Sequence, residues 1–293
     1  MQRKGVGNMK KNSKIALSVF AGTTAVTALG MNRVYVKMRY GKKTSKPLLH
    51  FSEIAEGDTE NVHLTAHRGL SAIAPENTLD AFRLAAKENY YALECDVHCT
   101  TDGKWVIIHD YNMRSMTERR GDVKNFSYEE LKNIKFNNGA NIDEYPEARM
   151  CTVEEYLDIC LESGKKAMIE VKDKRVEKVE SLYKIICDYG IEDSVILISF
   201  HPEILREFRR ISPQMELWYL MGKITEEKLD ECIYNKFGIA FNANRNLKNE
   251  KLIEKAHENG VNTACWTVDT KETLNIMLKN GVKFITTNAI LPD

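Results

Sequence analysis

Paired cysteines are missing from this sequence. Its seven cysteines are odd in number, they are irregularly spaced between Cys95 and Cys265, and no two of them form a Cys-x-x-Cys pair. A disulfide framework and a cysteine-bound zinc site are therefore both disfavoured. Because so many thiols have no evident partner, the composition favours a reducing compartment.

Net charge is missing as well. The 42 basic and 42 acidic side chains leave a formal charge of zero, which argues against a nucleic-acid partner bound through a basic surface. No Gly-x-Gly-x-x-Gly motif follows the first predicted strand, which disfavours a dinucleotide-binding fold. What the chain does have is a hydrophobic content of 43%, enough for a large buried core.

The N-terminal apolar run, residues 15–30, is short for a transmembrane helix, which needs about 20 residues. It follows a basic start and is followed by further lysines and arginines, a pattern typical of a signal sequence or an uncleaved membrane anchor. Positive charge on both sides leaves the orientation open. We predict membrane association through residues 15–30, and the unpaired cysteines favour the cytoplasmic face. Residues 1–30 are thus interpreted as a basic start plus anchor, 31–60 as a linker with a docking segment, and 61–293 as the folded domain.

From Val62 onward, strand-like and helical segments alternate. The main predicted strands are residues 62–66, 91–98, 167–171, 195–200, 216–220, 238–241, 262–267 and 284–287. The predicted helices are residues 77–87, 153–162, 176–189, 202–210, 226–234, 248–258 and 271–279. This alternation predicts a parallel α/β sheet. Eight strands over roughly 230 residues fit a closed (β/α)8 barrel better than an open doubly wound sheet.

Two stretches depart from the repeat. Residues 111–150, after the second strand, are polar loops with one short helical stretch, and so long an insertion is more often part of a site than an idle connection. The sequence ends at Asp293, which leaves no room for an eighth helix after the last strand. We expect residues 47–58 to pack across that gap, with apolar cover from Leu48, Leu49, Phe51 and Ile54.

Chemically versatile side chains fall at the carboxyl ends of several predicted strands, where a barrel of this kind has its active site. They are His67 and Arg68 after the first strand, Glu94 and Asp96 on the second, His109 after a short extended segment at 105–108, Glu170 and Lys172 at the third, and Trp266 at the seventh. Side chains two residues apart on a strand share a face. The sequence therefore predicts that these groups meet at one mouth.

Three carboxylates at one mouth would repel each other unless a cation balances them. Ligation by Glu94, Asp96 and Glu170 alone suits one divalent cation, Ca²⁺ or Mg²⁺. With His67 and His109 as further ligands, the set would suit zinc or manganese instead. We favour the first arrangement, because it leaves both imidazoles available as the acid and base that cleavage of a phosphodiester requires.

The remaining polar groups suit the substrate. Arg68 supplies a planar fork and Lys172 a point charge for phosphate oxygens. Trp266 is interpreted as a wall of the substrate pocket because the strand ends there. The set as a whole predicts metal-assisted cleavage of a phosphate ester.

Several short motifs carry these residues. They are His67-Arg68-Gly69, Pro75-Glu76-Asn77-Thr78, Glu94-x-Asp96-Val97, Thr100-x-Asp102-Gly103, His109-Asp110, Glu170-x-Lys172 and Trp266-Thr267-Val268. In combination, over about residues 62–288, they resemble the glycerophosphodiester phosphodiesterase family.

The resemblance implies a TIM barrel that hydrolyses glycerophosphodiesters to glycerol 3-phosphate and an alcohol. It implies that His67 and His109 are the acid/base pair and that Glu94, Asp96 and Glu170 are the metal ligands. It also implies that the glycerol 2-hydroxyl can attack first, giving a cyclic phosphate that water then opens. Direct attack by water is the alternative, and the sequence does not choose between them.

One position departs from the family pattern, which commonly has an aspartate after the final strand where this chain has Asn288. Two alternative functions stay open. Lysophospholipids at a membrane would be favoured by the segment at 15–30, whereas the polar insertion favours soluble substrates. A catalytically inactive binding barrel would predict the loss of a metal ligand or a histidine, and all five of these residues are present.

Overall fold

The computed structural model describes residues 45–293, and the anchor predicted at residues 15–30 lies outside the described residues. Eight parallel strands form a closed barrel. They are β1 (His63–Ala66), β2 (Ala92–Cys99), β3 (Lys166–Val171), β4 (Val195–Ser199), β5 (Glu216–Met221), β6 (Gly238–Asn242), β7 (Thr263–Trp266) and β8 (Phe284–Thr287). Each strand pairs with the next, and β8 pairs with β1 to close the ring. The predicted (β/α)8 TIM barrel is confirmed.

An outer layer of helices covers the strands. The helices are α1 (Leu79–Ala86), α2 (Val153–Ser163), α3 (Val179–Tyr189), α4 (Pro202–Ile211), α5 (Glu226–Asn235), α6 (Glu250–Glu258) and α7 (Lys271–Lys279). Threonine side chains cap several helix starts by accepting a backbone N–H, as Thr152 does for α2. Within residues 45–293, none of the helices combines the length and apolar character needed to cross a bilayer.

The first helix begins at Leu79 rather than at the predicted residue 77. Thr78 is its N-cap and accepts the Ala81 N–H. Asn77 instead has a left-handed backbone, with φ of 59°, and its side chain turns inward to Asp96. The local departure from helix therefore places an amide in the barrel mouth.

The interior of the barrel is filled by alternate residues of its strands. A buried apolar cluster there consists of Ala92, Met168, Ile196, Ile198, Trp218, Leu220, Ala240 and Ala264. Because side chains alternate along a strand, Glu94 and Asp96 share a face with Ala92, and Glu170 shares one with Met168. The carboxylates thus lie next to this apolar cluster, one step nearer the carboxyl ends of the strands.

The residues between β2 and α2 form a small lobe with its own core. Trp105–Ile107 pairs antiparallel with β2, and Cys151–Thr152 pairs antiparallel with Trp105–Ile107. Between these strands lie a short helix, Tyr128–Leu131, and a separate apolar cluster made by Val106, Ile108, Met113, Met116, Val123, Leu131, Phe136, Ile142, Ala148 and Met150. The polar residues of this stretch lie on the surface of the lobe, and its methionine and aliphatic side chains form the core.

The segment before β1 takes the place of an eighth helix. Leu49–His50 pairs in parallel with Ile290–Leu291, just after β8. A short helix, Phe51–Ile54, follows, and the side chains expected to cover the barrel, Leu48, Leu49, Phe51 and Ile54, pack against its main apolar core. The predicted packing of this segment is confirmed.

Candidate active site

Three buried carboxylates meet at the barrel mouth. Asp96 and Glu170 are paired residues in the ladder between β2 and β3, and Glu94 lies two residues before Asp96 on the same face. One oxygen from each of the three lies within 4.8 Å of the others. Their exposures are 2% for Glu94, 0% for Asp96 and 7% for Glu170, so the cluster is withdrawn from solvent.

Two cations partly balance this charge. Lys172 Nζ lies 2.6 Å from Glu170 Oε1 and 3.2 Å from Asp96 Oδ1. Arg68 Nε lies 3.2 Å from Asp96 Oδ2, and the Arg68 backbone N–H donates to Glu94 Oε2 at 2.8 Å. Three clustered carboxylates therefore share two cationic side chains, one of which, Arg68, also pairs with Glu76 at 2.9 Å.

The three carboxyl groups differ in the direction in which their pKa values are shifted. Burial, together with the charge of Asp96, raises the pKa of Glu94 well above its usual value. Burial likewise raises the pKa of Glu170, to about 7. For Asp96, the attraction of Lys172 and Arg68 outweighs the effect of burial and holds its pKa well below its usual value. Asp96 is thus the anchor of negative charge at the site.

His67 follows β1 directly and is mostly buried. Its Nδ1 lies 2.8 Å from Asn288 Oδ1, and its Nε2 lies 4.0 Å from Glu94 Oε2. Because an amide oxygen only accepts, Nδ1 carries the proton and Nε2 presents a lone pair to the mouth. Burial, reinforced by the charge of Arg68, lowers the pKa of His67 to about 3, so the ring is neutral at physiological pH.

His109 approaches from the inserted lobe. The residue before it, Ile108, donates its backbone N–H to Asp96 O at 3.0 Å, which holds this chain segment against the end of β2. His109 Nδ1 lies 2.8 Å from Asp110 Oδ1. The His109 side chain is 33% exposed. The imidazole of His109 therefore faces solvent, whereas that of His67 faces the interior.

The remaining predicted residues also lie at this end of the barrel. Lys172 Nζ lies 5.9 Å from the centroid of the Phe200 ring, and the Phe200 and Trp266 rings meet edge to face at 5.7 Å. Trp266 is half-buried, and its role as a wall of the substrate pocket stays a prediction. Arg68 and Lys172 lie beside the carboxylates, and their role as phosphate ligands stays a prediction.

The sequence model of the glycerophosphoryl diester phosphodiesterase family matches residues 67–291, a span that includes both histidines and all three carboxylates. The chain belongs to this family. It is therefore a phosphoric diester hydrolase.

Relatives of known name agree with this membership. The chain is 33% identical over 238 residues to a glycerophosphodiester phosphodiesterase of Caldanaerobacter subterraneus subsp. tengcongensis, covering 76% of this chain and 92% of the relative. It is 30% identical over 239 residues to one of Bacillus altitudinis, covering 78% and 94%. A phosphodiesterase of Oleispira antarctica, solved in complex with the product sn-glycerol-3-phosphate, matches with a TM-score of 0.72 at 20% identity, covering 78% and 93%. This last match supports the fold.

The glycerophosphoryl diester phosphodiesterase family typically uses a divalent metal, and the residues of this chain fit one. Among residues 45–293, Asp96 Oδ1 and Glu170 Oε1 are buried atoms with no hydrogen-bond partner, although Lys172 Nζ approaches both without hydrogen-bonding geometry. Buried carboxylate oxygens that contact a cationic group but accept no well-aligned hydrogen bond are suited to a hard cation. The carboxylates Glu94, Asp96 and Glu170 could hold it.

Supporting residues of the family site were less visible in the sequence. Asn77 Nδ2 donates to Asp96 Oδ2 at 2.8 Å, and Glu76 accepts from Arg68 Nη1 at 2.9 Å. Both belong to the Pro75-Glu76-Asn77-Thr78 motif, but only the fold shows which group each one holds. Asp269, which binds Asn288, carried no signal, because its partner lies nineteen residues away in the sequence.

Proposed function

We propose that this protein hydrolyses glycerophosphodiesters to glycerol 3-phosphate and an alcohol with the help of one divalent cation, Ca²⁺ or Mg²⁺. The observation that carries the proposal is the cluster of three buried carboxylates, with His67 beside Glu94 and His109 on the segment that is hydrogen-bonded to the end of β2. The names of the Caldanaerobacter and Bacillus relatives support the substrate class. The product in the Oleispira structure supports a site for glycerol phosphate in this fold.

Glu94, Asp96 and Glu170 would hold the cation, which when bound stabilises negative charge on the phosphoryl oxygens. Arg68 and Lys172 would bind the same oxygens through a fork and an ammonium group. Trp266 and Phe200 would form the wall of the substrate pocket on the far side of Lys172. The charge of the substrate phosphate would compete with the carboxylates for both basic side chains.

The two histidines would divide the proton transfers. The His67 Nε2 lone pair accepts the proton of the attacking hydroxyl, since its Nδ1 is held protonated by Asn288. His109, oriented by Asp110 and open to solvent, delivers a proton to the departing alkoxide. The attacking hydroxyl is either water or the glycerol 2-hydroxyl. Detection of a cyclic glycerol phosphate early in the reaction would identify the second route.

The test is hydrolysis of glycerophosphocholine by the full chain, with lysophosphatidylcholine assayed beside it. We expect activity to vanish on chelation and to return with Ca²⁺ or Mg²⁺. His67→Ala and His109→Ala should each lower kcat about 10²–10⁴-fold, whereas His50→Ala, an exposed histidine, should not. Activity that survives chelation would refute the cation, and unchanged kcat in either variant would refute that histidine's role.

Lysophospholipids remain the competing substrate class, because they need the same chemistry and would suit an enzyme anchored by residues 15–30. Faster hydrolysis of lysophosphatidylcholine than of glycerophosphocholine would favour lysophospholipids as the substrate.

We also propose membrane association through residues 15–30. It predicts that the full chain sediments with membranes while a chain starting at residue 45 does not, and identical behaviour of the two would refute it.

A further inference from the structure

A carboxylate behind the catalytic mouth is linked to His67 through one intervening side chain. Asp269 follows β7, and both of its oxygens receive hydrogen bonds from Asn288. Asp269 Oδ1 accepts the Asn288 backbone N–H at 2.8 Å, and Oδ2 accepts from Asn288 Nδ2 at 2.7 Å. On its other side, Asn288 Oδ1 lies 2.8 Å from His67 Nδ1. The three residues therefore form a chain of hydrogen bonds from β7 to β1.

The direction of these bonds is dictated by Asp269. An ionised carboxylate only accepts, so it draws the NH₂ group of Asn288 toward itself and turns the amide oxygen toward His67. That oxygen in turn requires a proton on His67 Nδ1. Ser71 imposes no choice, because its hydroxyl, 2.9 Å from Asn288 Oδ1, can donate or accept.

We propose that Asp269 is a positioning residue that fixes the catalytic tautomer of His67 through Asn288. Among residues 45–293, its hydrogen bonds run to Lys46, Thr287 and Asn288 and not to the three clustered carboxylates. Its negative charge determines whether the oxygen or the NH₂ group of the Asn288 amide points to His67. This orientation in turn determines whether His67 Nε2 has a free lone pair at the barrel mouth. The inference rests on the proposed role of His67 as a base, and its first readout is independent of that role.

The isosteric substitution Asp269→Asn is expected to reverse the tautomer of His67. In Asp269→Asn, the backbone N–H of Asn288 at Oδ1 cannot turn away, whereas the Lys46 ammonium beside Oδ2 belongs to a half-exposed side chain and can swing into solvent, so the new amide places its oxygen toward the backbone N–H. Its NH₂ group then faces the side chain of Asn288, which has to flip to offer its own oxygen. The flip presents the Asn288 NH₂ group to His67 Nδ1. The proton of His67 must then move to Nε2, which removes the lone pair from the mouth.

The first measurement is the tautomer itself, read from ¹⁵N chemical shifts of labelled histidine in the full chain, with His67→Gln used for assignment. We expect wild-type His67 to carry its proton on Nδ1 and Asp269→Asn to carry it on Nε2. A His67 that keeps the Nδ1 proton in Asp269→Asn would overturn the proposal. A buried residue with a merely structural role would leave this spectrum unchanged.

The second measurement is steady-state kinetics. Asp269→Asn should lower kcat on the order of 10²-fold and change KM less than about twofold, because substrate contacts are untouched. A change confined to KM, with the proton retained on His67 Nδ1, would overturn the proposal.

Rescue and a matched control complete the design. In the double variant Asp269→Asn/Asn288→Asp, the carboxylate introduced at position 288 accepts from the amide introduced at position 269 and from His67 Nδ1, so the original tautomer and most of kcat should return. Lys46→Met removes the ammonium that lies 2.6 Å from Asp269 Oδ2 but leaves the carboxylate, so it should keep the wild-type tautomer. Failure of the double variant to restore the Nδ1 proton would refute the relay.

The two hypotheses fail differently. If Asp269→Asn moves the proton of His67 but leaves kcat unchanged, His67 is not the base, and that part of the proposed function is wrong while the relay stands. If the proton stays on Nδ1 while His67→Ala is inactive, the proposed function stands and the relay is wrong.

Discussion

At the scale of single residues, the site depends on polar groups that orient its carboxylates. Asn77 holds Asp96 from two sides, since its Nδ2 donates to Asp96 Oδ2 at 2.8 Å and its Oδ1 accepts the Asp96 N–H at 3.3 Å. It is itself 1% exposed. Partners that orient a metal ligand in this way typically affect affinity 10–100-fold.

Asn77→Ala should therefore weaken cation binding about 10–100-fold, because Asp96 loses the group that fixes its carboxylate. Isothermal titration of metal-free protein with Ca²⁺ and Mg²⁺ measures this directly. Asn259→Ala, which removes an exposed bond to Lys255 O, is the matched control. Cation affinity equal to wild type in Asn77→Ala would show that Asp96 is held by other contacts.

Another buried carboxylate, Asp173, links stability to pH. It accepts the Cys99 N–H at 3.3 Å and the Arg175 Nε–H at 2.9 Å. Burial alone would raise the pKa of Asp173, but the bonds from Arg175 outweigh it and hold this pKa below its usual value. A lowered folded-state pKa means that the stabilisation is complete above the usual pKa of about 3.9 and is lost as the pH falls below it.

Asp173→Asn should accordingly cost about 1.5–3 kcal/mol at neutral pH, and the gap from wild type should shrink as the pH is lowered through 4 toward 3. Urea unfolding at a series of pH values measures the gap. If the stability difference between wild type and Asp173→Asn stays constant across this pH range, the charge of the Asp173 carboxylate contributes nothing to stability.

At the scale of elements, much of the site follows from the sequence. The pairs Glu94/Asp96 and Glu170/Lys172 fall two residues apart at strand ends, so the period of a strand predicts their common face. The order of strands then brings β2 beside β3. His67 is predicted by the same rule, since it follows β1 at once.

Other parts of the site could not be predicted from periodicity. The Asn77 backbone is left-handed, so the helix pattern that includes it is misleading about where α1 starts. The inserted lobe has an apolar core that no regular period reveals, because its methionines and aliphatics lie on loops. Asp269 acts through Asn288, and only the ring closure between β7, β8 and β1 brings it near His67.

The segment that substitutes for an eighth helix offers a test at this scale. Leu49 is half-buried against the barrel, whereas Leu161 on α2 is 58% exposed. Leu49→Ala should lower the free energy of unfolding by about 1–2 kcal/mol, and Leu161→Ala should lower it by less than about 0.5 kcal/mol. Urea denaturation compares them, and equal effects would mean that the segment adds little to the stability of the barrel.

At the scale of the whole molecule, folding concentrates negative charge at one end of the barrel. Three carboxylates with two cations nearby are an unfavourable arrangement in a buried place. A ligand that binds only the folded state stabilises it by about 2.7 kcal/mol at one hundred times its dissociation constant. The cation is thus expected to contribute to stability as well as to catalysis.

Saturating Ca²⁺ or Mg²⁺ should raise the melting temperature by about 5–10 °C. The rise should disappear in Glu94→Gln and persist in Glu162→Gln, an exposed glutamate on α2. Differential scanning calorimetry makes the comparison. A rise that survives in Glu94→Gln would place the bound cation elsewhere.

The central claim concerns geometry, namely that one cation and two imidazoles are gathered around one phosphorus. A crystal structure of the protein with glycerol 3-phosphate and Ca²⁺ or Mg²⁺ tests it most directly. The account predicts a cation bound by Glu94, Asp96 and Glu170, with the phosphate beside it between His67 Nε2 and the His109 ring. A phosphate bound away from the three carboxylates, or within reach of only one of the histidines, would contradict it.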